Sequence, residues 1–274
     1  MGLRVNNNIA SINAQRNLVN TTLRLAKSLQ RLSSGLRITR AADDAAGLAI
    51  SESFRAEVRS LGQAQRNAND AISLLQIAEG ALNETSGILI RMRELSIQAA
   101  NGTLGSSERT TIDNEFRDLA AEITRIASVT QFNGQLILNG ASSITFQIGT
   151  QNTSSDQITV SAVDATSSGI GIGSSVSIDT QSGAQTTLDT IDSAISTVAS
   201  LRATFGTVQN RLESTIRSLA VAIENTSAAE SRIRDVDFAS ETAELTRNQV
   251  LQQAGISVLG QANVSTQSAL SLLQ

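Results

Sequence analysis

The chain has 274 residues, six of them Phe, contains no His, Cys, Trp, Tyr or Pro, and carries a net charge of −4. Without His or Cys it lacks the ligands of the usual zinc and transition-metal sites and the base of common nucleophile–base pairs, so we expect no enzyme, metal or cofactor. The small charge does not indicate a nucleic-acid partner. No run of about 18 apolar residues predicts a membrane span.

The first segment, residues 1–40, predicts a helix with a coiled-coil seam. Its apolar residues recur at steps of three and four. The seam residues are Ile9, Ile12, Val19 and Leu23. Ser33, Ser34 and Gly35 then predict a helix stop or loop.

The same segment holds seven basic residues and no acid. A cluster of basic residues could bind nucleic acid, but no aromatic residue accompanies it for base stacking. We therefore expect these bases to pair with acids of neighbouring copies. The candidate acids are Glu230, Asp235, Asp237, Glu241 and Glu244.

The second region, residues 41–163, predicts two helices followed by a β-hairpin. Asp43 and Asp44 are placed as cap and first-turn residues of the first helix, which we expect to run to about residue 100, and this is favoured over a paired-carboxylate site. Apolar spacing predicts the second helix over 107–129. Alternation then predicts a hairpin with one covered face, formed by Ile144, Phe146, Ile148, Ile158 and Val160.

The third region, residues 164–187, is rich in Ser, Thr and Gly and predicts a short exposed loop. The stretch 150–187 could carry O-linked sugars, although a plain solvated loop is favoured. Helical spacing returns over 188–237.

The last segment, residues 238–274, predicts a second terminal helix with an apolar seam. Its seam residues are Leu251, Val258, Ala262 and Leu272. No residue from Asn248 to Gln274 is charged. A helix that is uncharged yet too polar for lipid is expected to be covered by protein.

Together these elements predict a mainly α fold with a small β-hairpin region. We expect a long antiparallel helical coiled-coil bundle, with the chain folded back as a hairpin so that both termini lie together. The terminal seams could serve an intramolecular bundle or contacts between copies, and periodicity alone leaves both open. The uncharged C-terminal segment favours a polymer of many copies.

Five blocks of the sequence are distinctive: NIASINAQRNL at 8–18, LSSGLRI at 32–38, ADDAAGLAIS at 42–51, TQFNG at 130–134 and LQQAG at 251–255. These blocks resemble those of bacterial flagellin. The resemblance covers roughly 1–140 and 188–274, with a middle shorter than in many members. It implies a structural subunit that polymerises into the helical extracellular filament of the flagellum, used for swimming.

The same resemblance implies a route and partners. Export would run through the flagellum's own type III apparatus without a cleaved signal peptide. An export chaperone and the filament cap and junction proteins would be partners. The segment 90–97 is also similar to the site bound by the vertebrate Toll-like receptor for flagellin, which would make Arg91, Leu95 and Glu115 contacts, although by itself it is an ordinary helix surface.

Three alternatives compete with the filament subunit. A hook–filament junction protein has ends that resemble those of flagellin, but its termini should differ more from the blocks above. A generic coiled-coil scaffold would not explain the hairpin. A filament-borne metallopeptidase needs an H-E-x-x-H helix, which a chain without His cannot provide.

Overall fold

The computed structural model describes residues 7–140 and 142–271, and their side chains as far as Val264. Five α-helices lie in these residues: α1 Ile9–Ser34, α2 Ala45–Ala99, α3 Ser106–Val129, α4 Gln181–Arg234 and α5 Phe238–Ser271. Two antiparallel pairs of strands complete the fold: β1 Gln131–Phe132 with β2 Gln135–Leu136, and β3 Ile144–Gln147 with β4 Gln157–Val160. The predicted mainly α class with a small β region is confirmed.

The chain divides into two compact units. Unit 1 comprises Met1–Glu57 and Asn225–Gln274, and unit 2 comprises Val58–Glu224. None of the described helices has a stretch long and apolar enough to cross a membrane.

The ends of α1 and the start of α2 follow from local chemistry. Asn8 caps α1, since its side-chain oxygen accepts a hydrogen bond from the N–H of Ser11 at 3.0 Å. The helix ends at Gly35 in the left-handed conformation, as the predicted stop requires. Asp44 caps α2 by accepting from the N–H of Gly47 at 2.9 Å, which confirms a carboxylate cap at this helix start.

The core of unit 2 consists of α2, α3 and α4 with the strands packed against them. Buried residues recur on α2 from Leu61 to Ala99 at alternating steps of three and four, and many of them are Ala. Small side chains at such positions allow helices to approach closely, and the 3.5-residue period is that of a coiled coil. Phe116 and Phe205 are the largest side chains fully buried in this core.

The predicted hairpin is confirmed as β3 and β4. Ile144 lies opposite Val160, and Phe146 lies opposite Ile158. These pairs place the apolar side chains on one face, where Ile158 and Val160 are buried. The short β1–β2 hairpin was not predicted, although its turn, Asn133-Gly134 with positive φ at both residues, is a strong hairpin signal.

The prediction of an exposed loop at 164–187 is wrong in two respects. Helix α4 begins at Gln181, seven residues before the predicted start. Ile170, Ile172 and Ile178 are buried in the core of unit 2. Three isolated branched residues among Ser and Gly give no periodic signal, yet each fills space against the helices.

Candidate interaction surface on the terminal helices

In unit 1, α1 packs antiparallel along α5. The side-chain amide of Asn8 donates to the carbonyl of Ala262 at 2.9 Å, and at the other end Arg31 Nη1 lies 3.3 Å from Glu241 Oε2. The residues turned toward the partner helix recur at steps of three and four, and we call them the inner rows. They are Ser11, Ala14, Leu18, Thr21, Leu25, Ser28 and Leu32 on α1, and Glu241, Leu245, Asn248, Gln252, Gly255, Leu259 and Ala262 on α5.

The predicted apolar seam of α1 is not the row that contacts α5. Ile9, Ile12, Val19 and Leu23 are each more than half exposed, as is Leu29. These five side chains form the outer face of α1. The helix therefore carries two heptad rows, and the more apolar one faces away from its own partner helix.

Helix α5 shows the same inversion. Of its predicted seam, Leu251 and Val258 are 48% and 58% exposed, and Ala262 belongs to the inner row. Leu272 lies outside the described residues. The outer face of α5 consists of Val250, Leu251, Ile256, Val258 and Val264.

Three basic residues of the first segment have partners in their own chain. Arg31 pairs with Glu241, one of the acids expected to belong to a neighbouring copy, so that expectation is wrong for Arg31. Lys27 Nζ lies 2.7 Å from Asp43 Oδ1. Arg37 Nη2 donates to the carbonyl of Ile233 at 2.6 Å. The fold of unit 1 thus brings Arg31 next to Glu241, which lies 210 residues away in the sequence.

Asp43 ties the segment after α1 to the helix, and does not cap α2. Its carboxylate accepts from the N–H and the hydroxyl of Thr39 and from the N–H of Arg40, besides its contact with Lys27. The hydrogen bond from Lys27 lowers the pKa of Asp43 most strongly, burial opposes it, and the bonds from Thr39 and Arg40 add to the lowering. The net pKa lies well below the usual range, so this contact persists at any neutral or mildly acid pH.

The face of unit 2 around Arg91 is charged and exposed. Arg91 lies 2.9 Å from Glu115 and 3.0 Å from Glu94, and all three side chains are about half exposed. Leu95, predicted to contact a receptor, is only 1% exposed and packs in the core. Helix α2 turns Leu95 into the core of unit 2, and its receptor contact stays a prediction. Ile90 and Ile97 are exposed apolar residues of the same helix.

Among the described residues no group of three or more carboxylate, His or Cys side chains could hold a metal ion. The chemistry that the surface offers is burial of apolar side chains and pairing of charges.

Comparison with known families gives two matches that together span most of the chain. Residues 5–143 match the bacterial flagellin N-terminal helical region, and residues 188–273 match the bacterial flagellin C-terminal helical region.

Individual proteins match over nearly the whole chain. The flagellar filament 33 kDa core protein of Treponema phagedenis is 44% identical over 284 residues, covering 98% of this chain and 99% of that protein. A flagellin of Halalkalibacterium halodurans is 44% identical over 271 residues, with the same coverage of 98% and 99%. The crystal structure of Bacillus cereus flagellin superposes with a TM-score of 0.51 at 34% identity, covering 56% of this chain and 88% of that one.

Proposed function

Because this chain belongs to the bacterial flagellin family, we propose that many copies of it polymerise into the helical filament of the bacterial flagellum and so serve swimming motility. The outer faces of α1 and α5 form the contacts between copies. The role is structural, and the filament lies outside the cell.

The observation that carries this proposal is the exposure of large apolar side chains on α1 and α5. Ile9, Ile12, Val19 and Leu23 are all more than half exposed, and the five side chains of the outer face of α5 are 48% to 63% exposed. Burying a Leu, Ile or Val side chain fully stabilises a contact by about 1.5–3 kcal/mol. Contiguous exposed apolar surface of this kind marks a protein–protein contact.

The charges favour a contact between unlike helices. Helix α1 carries Arg16, Arg24, Lys27 and Arg31 and no acid, whereas α5 has no charge after Arg247. Two copies of α1 side by side would bring like charges together. An α1 face meeting an α5 face of another copy avoids this repulsion, and a repeated contact between unlike surfaces builds an open helical polymer unless it closes into a ring.

Elongation of filament seeds tests the proposal. Purified protein is incubated with short sonicated filaments and viewed by electron microscopy, and we expect growth into a hollow tube. Two aspartates on the outer face of α1, Ile12→Asp with Leu23→Asp, should reduce elongation at least about tenfold, because each carboxylate would have to be desolvated in the contact.

The matched control places two aspartates at exposed polar positions of the same helix, Gln15→Asp with Asn20→Asp. This variant adds the same charge without removing apolar surface, and it should elongate nearly as well as the unchanged chain. Normal growth of the Ile12/Leu23 variant, or soluble subunit alone from the unchanged chain, contradicts the proposal.

The family membership also supports a route and further partners. The subunit leaves the cell unfolded through the flagellum's own type III apparatus, escorted by an export chaperone, and adds to the filament between the junction proteins and the cap. Deleting the genes of the export apparatus in the native host should retain the protein inside the cell, which fractionation and immunoblotting measure. A hook–filament junction role is not favoured, because similarity to filament proteins extends over 98% of the chain.

The Arg91 face supports a second role, in recognition by the vertebrate Toll-like receptor for flagellin. Arg91 and Glu115 are paired and half exposed, and Ile90 and Ile97 are exposed on the same helix as Arg91. A receptor reporter assay should lose signal with Arg91→Ala. Arg125→Ala, which removes another exposed arginine with a carboxylate partner, is the control. Equal signalling by both variants contradicts this role.

A further inference from the structure

The chain contains three Asn-Gly dipeptides, and all of them lie in unit 2. They are Asn101-Gly102, Asn133-Gly134 and Asn139-Gly140. In such a dipeptide the backbone nitrogen of Gly can attack the side-chain carbonyl carbon of Asn, because Gly has no Cβ atom to block the approach. A folded chain permits this reaction only where the nitrogen is unengaged and can reach the side chain.

Two of the three dipeptides are held in arrangements that oppose the attack. Asn133 and Gly134 have φ of 49° and 80° and form the tight turn between β1 and β2. A residue in this left-handed conformation turns the following nitrogen away from its own Cβ atom. At Asn139, the N–H of Gly140 donates to the carbonyl of Val163 at 2.8 Å, so the nitrogen that would attack is already engaged.

The loop between α2 and α3 leaves Asn101 and Gly102 in a reactive arrangement. Both residues are exposed, and neither has a positive φ. The N–H of Gly102 has no hydrogen-bond partner within residues 7–140 and 142–271. The N–H of Thr103 donates to Asn101 Oδ1 at 3.3 Å, which folds the side chain back over the Gly102 peptide. Negative charge develops on this oxygen during the attack, and the N–H of Thr103 stabilises it.

Arg109 acts on the attacking group itself. Its Nη2 donates to the carbonyl of Asn101 at 2.9 Å, and its Nε donates to the carbonyl of Ala99 at 2.9 Å. The carbonyl of Asn101 belongs to the peptide bond that contains the Gly102 nitrogen. When this nitrogen loses its proton, resonance spreads the negative charge onto that carbonyl oxygen. The guanidinium therefore favours the deprotonated nitrogen, which is the form that attacks.

We propose that Asn101 is a self-modification site, at which Arg109 promotes deamidation through a cyclic imide. The Gly102 nitrogen gives its proton to hydroxide and bonds to Cγ of Asn101. The bond from Cγ to the side-chain nitrogen then breaks, and this nitrogen takes a proton from water and leaves as ammonia. Water opens the imide at either carbonyl and leaves aspartate or isoaspartate, so that in sum one water is consumed and one ammonia released.

Deamidation changes the loop in charge and in length. The new carboxylate lies just beyond the C-terminal end of α2, where the helix dipole disfavours an anion. Isoaspartate also carries the main chain through the former side-chain carbon, which lengthens the connection between α2 and α3 by one atom. All reacting groups belong to one chain, so the proposal does not depend on the filament function.

The test follows the three asparagines within one chain. The folded full-length chain, and the same chain in guanidinium chloride, are incubated at mildly alkaline pH. Samples are digested with pepsin at acid pH, which stops further deamidation, and tandem mass spectrometry gives the converted fraction of each asparagine. Arg109→Gln is compared with Arg125→Gln, which removes the same charge near the other end of α3.

In the folded chain, Asn101 should convert at least about tenfold faster than Asn133 and Asn139, and in denaturant the three rates should agree within about threefold. A folded chain in which Asn101 is no faster than the other two overturns the proposal. So does a tenfold preference for Asn101 that persists in denaturant, because the neighbours in sequence would then cause it.

Arg109→Gln should slow the conversion of Asn101 in the folded chain at least about threefold, and Arg125→Gln should leave it unchanged. The direction of the change separates this role from a merely structural one. If Arg109 only held the loop in place, its loss would loosen the loop and speed the reaction. A rate that is unchanged or increased in Arg109→Gln therefore overturns the role of Arg109, as does an equal slowing in denaturant.

Discussion

Units 1 and 2 are both built from helices with a heptad period, yet they turn their large apolar side chains in opposite directions. Of the seventeen large apolar side chains exposed among the described residues, twelve lie in unit 1 and five in unit 2. Unit 2 encloses a large core that includes Leu89, Phe116 and Phe205, and a smaller cluster around Leu61. The helices α1 and α5 of unit 1 instead meet through leucines interspersed with small and polar residues, and their other large apolar side chains stay exposed.

Rows of apolar residues at heptad spacing therefore have two different roles in the two units. The apolar rows of unit 2 stabilise the single chain, because each row is covered by other elements of that chain. The outer rows of unit 1 gain nothing in the single chain and stabilise only an assembly that covers them. Stability of the subunit and stability of the polymer therefore depend on different residues, and each can be changed without the other.

The largest effect on stability is expected when the same change, Leu to Ala, is made once in unit 2 and compared with the same change in unit 1. Leu89→Ala removes a fully buried side chain of unit 2 and should lower the free energy of unfolding by about 2–5 kcal/mol. Leu23→Ala removes a side chain that is 64% exposed in unit 1 and should change it by less than about 0.5 kcal/mol. Urea titration followed by circular dichroism measures both. Similar losses in the two variants would contradict the distinction between the units.

A smaller effect is expected at the buried carboxylate of unit 2. Asp113 accepts from the N–H of Ile178 at 2.8 Å, from Arg117 at 2.6 Å and from the hydroxyl of Ser177. Burial raises the pKa of Asp113, but these three partners outweigh it, so the net pKa lies below the usual value. Asp113→Asn should cost about 1–3 kcal/mol, because it weakens the hydrogen bonds that hold the 177–178 segment.

Hydrogen exchange of the Ile178 amide reports this loss directly, and exchange there should speed up in Asp113→Asn. The exposed Asp118→Asn on the same helix is the control and should leave that amide unchanged. Unchanged protection of Ile178 in both variants would show that packing alone holds the segment.

A pH-dependent effect is expected at Asp43 in unit 1. Its pKa is lowered in the folded chain, so its contribution is complete above the unfolded value of about 3.9 and is lost as the pH falls through the lower folded value. Asp43→Asn should speed hydrogen exchange of the Thr39 and Arg40 amides at pH 7. The difference from the unchanged chain should narrow only below about pH 4. A difference that disappears between pH 7 and pH 5 would contradict the lowered pKa.

The smallest effect is expected at exposed ion pairs. Arg125 lies 2.6 Å from Glu122, but the two side chains are 60% and 40% exposed. Arg125→Gln should leave thermal unfolding unchanged within error, since solvent screens such pairs. Arg31→Gln in unit 1, whose pair with Glu241 is largely covered, should produce a measurable drop. A larger effect at Arg125 would reverse this ranking.

Much of the fold could be predicted from the sequence. The helix stop at Gly35, the cap at Asp44 and the β3–β4 hairpin follow from local rules, because capping, left-handed glycine and alternation act within a few residues. The buried isoleucines of 164–187 could not be predicted, because their burial depends on α2, α3 and α4 and not on their neighbours in sequence. The partner of Arg31 was mistaken for the same reason.

The sequence by itself determined that both ends of this chain are helices with rows of apolar residues at heptad spacing. It could not determine which row faces which partner. On α1 the row of Ile9 and the row of Ser11 have the same period and differ only in angle around the helix axis. A period fixes the angles between residues of one helix. Only the packing of α5 against α1 decided that the less apolar row lies inside and the more apolar row outside.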